Sequence, residues 1–289
     1  MTPSIIGIGA QKCASSWLHA VAGSHPEIAL SDPKEVDFFS YYFDRGYRWY
    51  DSHFVEEERT RIRFECSPSY LHDPRSPDRA AAYQPGMKVL ALFRDPVKRA
   101  FSNHMHEIIK GHIPPCTFEE GLKNNPAYVE QGQYGRHLAR WLDAFPRDQV
   151  LVMFAEDISE SPAQAAQQFF RFCDVDPDFQ SGLLSERRNE SDRPRYPVLR
   201  KGLRAGGDWM RRRGLEPVLS KVKATGPVAG LLKANSIQVR DEIPPMTPAT
   251  RTRLEDIFAP EMDVLRRLLG LSRLPWDPLE MQPRHEAAS

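Results

Sequence analysis

Ile5-Ile6-Gly7-Ile8-Gly9-Ala10-Gln11-Lys12-Cys13-Ala14-Ser15-Ser16-Trp17-Leu18 is the stretch that decides the fold. Its first five residues are an apolar run ending in glycine, the pattern of a buried strand. Over residues 15–23, Trp17, Leu18, Val21 and Ala22 fall at helical spacing, with Gly23 as the stop. Strand, glycine-containing turn and helix in immediate succession form the entry unit of a nucleotide-binding α/β fold. A loop at that place can aim successive backbone N–H groups at one phosphate, with the helix dipole behind them. Lys12 adds a positive charge, and Ser15 and Ser16 add hydroxyl donors. The loop is not a Walker A loop: it lacks G-x-x-x-x-G-K-[ST], and no Ser or Thr directly follows the lysine to hold Mg²⁺. A plain strand-to-helix turn in which Ser15 caps the helix fits the same residues.

Further strands are expected at Ile62–Cys66, Lys88–Phe93 and residues 149–154. The run Val89-Leu90-Ala91-Leu92-Phe93 is apolar at consecutive positions, as a central parallel strand requires. Pro96 suits the first turn of a helix that continues to about Lys110. Leu138, Trp141, Leu142 and Phe145 mark an amphipathic helix, and residues 162–173 mark another. Leu254, Ile257, Phe258, Met262, Leu265 and Leu269 form a helical stripe near the end. Strands separated by helices predict an α/β fold with a central parallel sheet covered on both faces. Residues 193–248 are rich in Arg, Gly and Pro and are expected to be a variable, partly mobile insertion near the site. One domain over residues 1–281 and a disordered tail over 282–289 complete the expected organisation.

Lys plus Arg and Asp plus Glu each total 39 among 289 residues, so the net charge is zero and a general nucleic-acid binder is excluded. Charge is locally uneven: residues 187–213 hold ten Lys or Arg against three acids. Cys13, Cys66, Cys116 and Cys173 are far apart without a C-x-x-C pair, which reads as a reducing compartment. The first apolar run is too short for a secretory or membrane-spanning segment. These features together predict a soluble, cytoplasmic protein with no transmembrane segment; oligomeric state is not legible.

Phe93-Arg94-Asp95-Pro96-Val97-Lys98-Arg99-Ala100-Phe101-Ser102 offers a second anchor. Arg94 would stand at the carboxyl end of a strand, where open α/β sheets bind ligands. With Ser102 about two turns into the next helix, an arginine fork and a hydroxyl would receive a terminal phosphate. A local Arg94–Asp95 salt bridge is the plain alternative. His104 and His106, at i and i+2, lie on different faces of one helix and do not make a shared metal site. A partly buried structural histidine fits either, and so does a place beside the acceptor.

These motifs together resemble the PAPS-dependent sulfotransferases, nearest the carbohydrate branch of heparan sulfate sulfotransferases and their bacterial relatives. The likeness covers roughly residues 4–190 and 245–276, in the family's order. It also draws on Lys34-Glu35-Val36-Asp37-Phe38-Phe39, Glu65-Cys66-Ser67-Pro68-Ser69-Tyr70, Gly132-Gln133-Tyr134 and Leu274-Pro275-Trp276. It implies a P-loop NTPase-like sulfotransferase fold and 3′-phosphoadenosine-5′-phosphosulfate (PAPS) as cosubstrate, with no metal required. By that likeness Gln11, Lys12, Cys13, Ala14, Ser15, Ser16 and Trp17 hold the 5′-phosphosulfate, and Arg94 and Ser102 hold the 3′-phosphate. Arg193 and Arg195 stand where other members clamp the adenosine-3′-phosphate. Glu35 is implied as the general base and Lys12 as the stabiliser of the leaving oxygen; Asp37 is a candidate for contact with acceptor hydroxyls. The implied acceptor is a hydroxyl or amine of a carbohydrate or glycosylated metabolite, with a lipid or phenolic hydroxyl as the alternative. Two positions depart from the pattern. Ala14 stands where the family commonly has glycine; if the site needs a positive φ, that costs about 1 kcal/mol. Cys66 stands where heparan-type relatives often have a lysine, which argues for a different acceptor. A P-loop-like kinase and a non-catalytic nucleotide-binding protein are the rival readings.

Overall fold

β1 (Ser4–Gly9) is buried along its whole length and lies at the centre of a five-stranded sheet. The computed structural model describes residues 4–183, 192–194, 236–238 and 243–278. The other strands of the sheet are β2 (Ile28–Leu30), β3 (Ile62–Cys66), β4 (Lys88–Phe93) and β5 (Val150–Phe154), in the order β2-β3-β1-β4-β5. Every pairing is parallel. Parallel neighbours need crossovers, which the helices supply. α1 (Ser15–Ala22) follows β1, α2 (Tyr47–Asp51) follows β2, and α3 (Ser76–Tyr83) follows β3. α4 (Pro96–Lys110), α5 (Phe118–Asn124), α6 (Ala127–Glu130) and α7 (Tyr134–Ala144) separate β4 from β5. α8 (Ala155–Glu160) and α9 (Pro162–Phe172) follow β5. β6 (Asp192–Pro194) and β7 (Ser236–Gln238) pair antiparallel, and α10 (Pro248–Leu269) comes last.

The chain divides into two compact units. The first comprises Met1–Ser102, Asn125–Arg188 and Thr247–Ser289 and holds the five-stranded sheet; the second comprises Asn103–Asn124 and Asn189–Met246. In the second unit, His104 Nε2 donates to Cys116 O at 3.0 Å and its ring lies on Phe118, which is the structural-histidine role.

Local chemistry explains the elements of the first unit. Val89 to Phe93 are each fully buried, so β4 has no polar face. Asp95 caps α4: its Oδ1 accepts from Val97 N at 2.9 Å and Lys98 N at 3.2 Å, with Pro96 at the first helical position. Asp95 is therefore occupied by the helix end and by Lys98 at 3.7 Å, in place of the expected pair with Arg94. Thr247 caps α10, and Gly270 ends it in the left-handed conformation at φ 66°. α7 and α10 pack closely: a Cβ on Gly135 would stand 2.5 Å from Glu261 O, so only glycine lets the two helices approach this far. Leu254, Phe258, Met262 and Leu265 of α10 are buried, as the helical stripe predicts. No helix among the described residues is long and apolar enough to cross a membrane.

Candidate active site

Four neighbouring strands bring their carboxyl ends to one edge of the sheet. The loop after β1 starts at Ala10, whose N–H donates to Leu92 O of β4 at 2.6 Å. On the other side, Ser67 N, just past β3, donates to Gly7 O at 2.9 Å, and Leu71 N donates to Ile8 O at 2.9 Å. β2 leads into Lys34 and Glu35. The chain leaves β1 toward β2 and β3 on one side and then crosses to β4 on the other, which makes this edge the topological switch point where such sheets bind ligands.

The loop from Gly9 to Ser15 turns tightly. Gly9 has φ 115°, Lys12 φ 68° and Ala14 φ 70°. The left-handed Ala14 directly precedes α1 and makes no side-chain cap. Ser15 is the first helical residue rather than the cap; its hydroxyl instead accepts from Lys34 Nζ at 3.5 Å. The Cys13 side chain turns inward, with Sγ 3.9 Å from Tyr134 Oη. Burial pushes its thiol up to about 12, so only the Cys13 backbone is available to a ligand and the thiol is not a nucleophile. Gln11, Lys12 and Trp17 are half-buried and Ser16 is exposed along the same rim.

Arg94 leaves the end of β4 half-buried, and among the described residues no hydrogen bond or ion pair engages its guanidinium. It lies within electrostatic reach of Cys13, one strand away. Ser102 is half-buried two turns along α4. Of the arginines expected to join them, Arg195 lies outside the described residues. Arg193 is described only by its strand register, opposite Ile237.

Glu35 is half-exposed and pairs with Lys34 at 3.1 Å. Lys34 thus bridges the helix start at Ser15 and the carboxylate of Glu35. His19 of α1 faces the same pair; burial first, and then the Lys34 charge, pull it down to about 4, so it is neutral. Asp37 has φ 53° and its carboxylate accepts from Ser69 Oγ. Burial, and less strongly Glu35, raise its carboxyl above the ordinary value. Beneath it, Glu65 of β3 is fully buried, and burial pushes it up to about 8 against hydrogen bonds from Ser67 Oγ and Val36 N. Phe38 and Phe39 are core, with Phe38 stacked on Tyr50 at 4.8 Å. Tyr41 stands apart from that cluster, 62% exposed next to Asp37.

The loop, Arg94 and Glu35 therefore surround one end of the sheet, and Ser102 follows on α4. Two residues have partners that the sequence reading did not give them. Lys34 was legible as a neighbour of Glu35, but its reach to Ser15 crosses β3. Glu65 was legible as part of the Glu65–Tyr70 motif but not as a buried acid, because alternation cannot distinguish an outward acid from a buried one.

Residues 2–191 match a family model described as a sulfotransferase domain. The chain is 29% identical over 196 residues to mouse bifunctional heparan sulfate N-deacetylase/N-sulfotransferase 1, covering 60% of this chain and 22% of that protein. It is 28% identical over 200 residues to the human bifunctional heparan sulfate N-deacetylase/N-sulfotransferase 3, covering 61% and 23%. The chain thus spans less than a quarter of the length of these relatives. A crystal structure of a sulfotransferase from Alicyclobacillus acidocaldarius superposes with a TM-score of 0.69 at 22% identity, over 94% of this chain and 98% of that one. That likeness establishes the P-loop-like sulfotransferase fold expected from the sequence.

Ala14→Gly removes the left-handed strain and is expected to stabilise the protein by up to about 1 kcal/mol, or about 2 °C in Tm. A lower Tm would show that the loop prefers alanine there. Glu65 generates a second expectation. Its carboxyl titrates at 4.5 ordinarily and at about 8 when folded, so the native state holds the proton more tightly between those values. The buried group carries no penalty below about 4.5 and its full penalty above about 8, so stability falls as pH rises through that window. Glu65→Gln should therefore gain on the wild type in denaturant unfolding between about pH 5 and about pH 8. Parallel stability curves for the two proteins would contradict a neutral Glu65.

Proposed function

Because this chain belongs to the sulfotransferase domain family, we propose that it transfers the sulfuryl group of PAPS to a hydroxyl or amine of a carbohydrate or glycosylated metabolite. The observation that carries the reading is the convergence of strand ends: the strained loop and the start of α1, Arg94 on the adjoining strand, and Glu35 tied through Lys34 to Ser15. The loop amides and the α1 dipole suit a 5′-phosphate. Arg94, unengaged by other described residues, and Ser102 suit the 3′-phosphate.

Sulfuryl transfer is an in-line displacement at sulfur. The acceptor oxygen or nitrogen forms its bond to sulfur while the bond from sulfur to the 5′-phosphate oxygen breaks. The electron pair of that bond leaves with adenosine-3′,5′-bisphosphate, and the acceptor proton goes to Glu35. Lys12 offsets the charge that grows on the departing oxygen, the kind of preorganised stabilisation that dominates such steps. The Lys34 ammonium pairs with the Glu35 carboxylate at 3.1 Å. Cys66 is buried against Gly7, so no cation occupies that strand position, and Lys34 is a positive group beside Glu35. The likeness to N-sulfotransferases supports an amino sugar among the acceptors to test.

Adenosine-3′,5′-bisphosphate should raise Tm without added metal, and by more than ATP does at the same concentration. Larger stabilisation by ATP with Mg²⁺ would favour a kinase, and binding with no transfer to amino-sugar, phenol or lipid-alcohol acceptors would favour a non-catalytic binder. Within the transfer reading, Lys12→Ala is expected to raise the barrier by about 2.7–4 kcal/mol. Glu35→Gln should lower turnover by about 10²–10⁴ with bisphosphate affinity unchanged. A Glu35→Gln enzyme that turned over normally would remove Glu35 from the base role.

A further inference from the structure

Glu35 sits on a stretch that belongs to no helix or strand, between β2 and the turn at residues 38–41. Three consecutive amides just after it are nevertheless each held by a side chain from one short segment at the end of β3. Val36 N donates to Glu65 Oε1 at 3.3 Å, Asp37 N to Ser67 Oγ at 2.8 Å, and Phe38 N to Tyr70 Oη at 2.8 Å. Ser67 Oγ in turn donates to Glu65 Oε1, so two of the three holders are one unit. Glu65, Ser67 and Tyr70 are all fully buried. The transfer step leaves Glu65 without a task, yet an acid buried this deeply is costly unless its hydrogen bonds serve a purpose. Its Oε2 meets no donor, and no ion pair engages it among the described residues. That is the arrangement of a neutral carboxyl acting as a hydrogen-bond acceptor on one side only, and its elevated titration fits the geometry.

We propose that Glu65 is the positioning residue for the base: through Val36 N, and through Ser67 to Asp37 N, it sets where the Glu35 carboxylate stands relative to the phosphate loop. This rests on the reading of Glu35 as the base. A segment whose amides are fixed in this way holds the backbone that carries Glu35, and misplacement by about 1 Å costs on the order of 10²-fold in rate. The clamp touches neither the loop amides nor Arg94, so it governs the transfer step and not cosubstrate binding.

Three variants test this: Glu65→Ala, Glu65→Gln and Glu65→Ala combined with Glu35→Gln. The measurements are bisphosphate affinity by calorimetry, turnover of radiolabelled PAPS with de-N-sulfated heparan oligosaccharide and 4-nitrophenol as probe acceptors, and amide exchange over residues 34–40. Glu65→Ala should lower kcat by about 10²-fold while bisphosphate affinity holds. Glu65→Gln keeps a carbonyl acceptor for Val36 N and Ser67 and should recover most of that loss. In the Glu35→Gln background Glu65→Ala should add little, since residues acting as a unit are not additive. Amide exchange over residues 34–40 should speed up in Glu65→Ala, with residues 10–17 unchanged; this readout needs no acceptor. Should Glu65→Ala fail to fold, Ser67→Ala removes the smaller side chain of the same unit and should reproduce the kcat loss and the faster exchange. Unchanged exchange over 34–40, equal loss in Ala and Gln variants, or a loss confined to bisphosphate affinity each overturns the inference. A fully active Glu35→Gln enzyme, or a wild type that ignores the bisphosphate, overturns the parent reading instead.

Discussion

Two backbone hydrogen bonds pin the carboxyl end of β1 from both sides: Ala10 N to Leu92 O at 2.6 Å and Ser67 N to Gly7 O at 2.9 Å. They continue the sheet's ladder one residue beyond the strands themselves. Because of them, three chain reversals far apart in sequence open at the same height on the same edge. The loop between β1 and α1, Arg94 and the Glu65–Ser67 corner are neighbours for that reason. The side chains of the site add chemistry to a placement that backbone pairing has already made.

Strain and burial are concentrated where that pinning ends. Among the described residues four non-glycine positions have positive φ, and three of them, Lys12, Ala14 and Asp37, belong to the site. Such conformations persist only where the surroundings over-determine them. Asp37 shows how: its amide is held by Ser67, its carboxylate by Ser69, and its carbonyl by Tyr41 N and Tyr42 N. Charge is managed in a similar way. Arg99 is fully buried on α4, with Nη1 on Gln131 and Nη2 on Tyr128 O, and among the described residues no carboxylate pairs with it. Its charge reaches Cys13 and so adds positive potential beneath the loop between β1 and α1. The anion site we propose there would gain from that charge as well as from the loop's own amides.

Much of the frame was legible because it is local. β4 ends where its apolar run does, since a strand buried on both faces has no polar register to disturb the run, and β3 shows as Ile62, Phe64 and Cys66 alternating with Arg63 and Glu65. α10 was visible from its stripe. β2 was not, because three residues are too few to show any period, and its strand character comes from pairing with β3. Ser15 looked like a cap because serine usually is one. The strained turn at Ala14 takes the capping position and leaves the Ser15 hydroxyl to accept from Lys34, a partner that sequence spacing does not reveal.

By itself, then, the sequence determined the α/β class, and it marked the loop between β1 and α1 together with Lys12, Arg94 and Glu35 as the site we propose. These depend on neighbours within a few positions, where propensity and periodicity operate. Only the tertiary structure decided that Cys13 offers its backbone and hides its thiol, that Asp95 serves a helix end, that Lys34 joins Ser15 to Glu35, and that Glu65 lies buried beneath the Glu35 segment. Each of these depends on which strands stand side by side. Strand order is a property of long-range pairing, and no local pattern of residues encodes it.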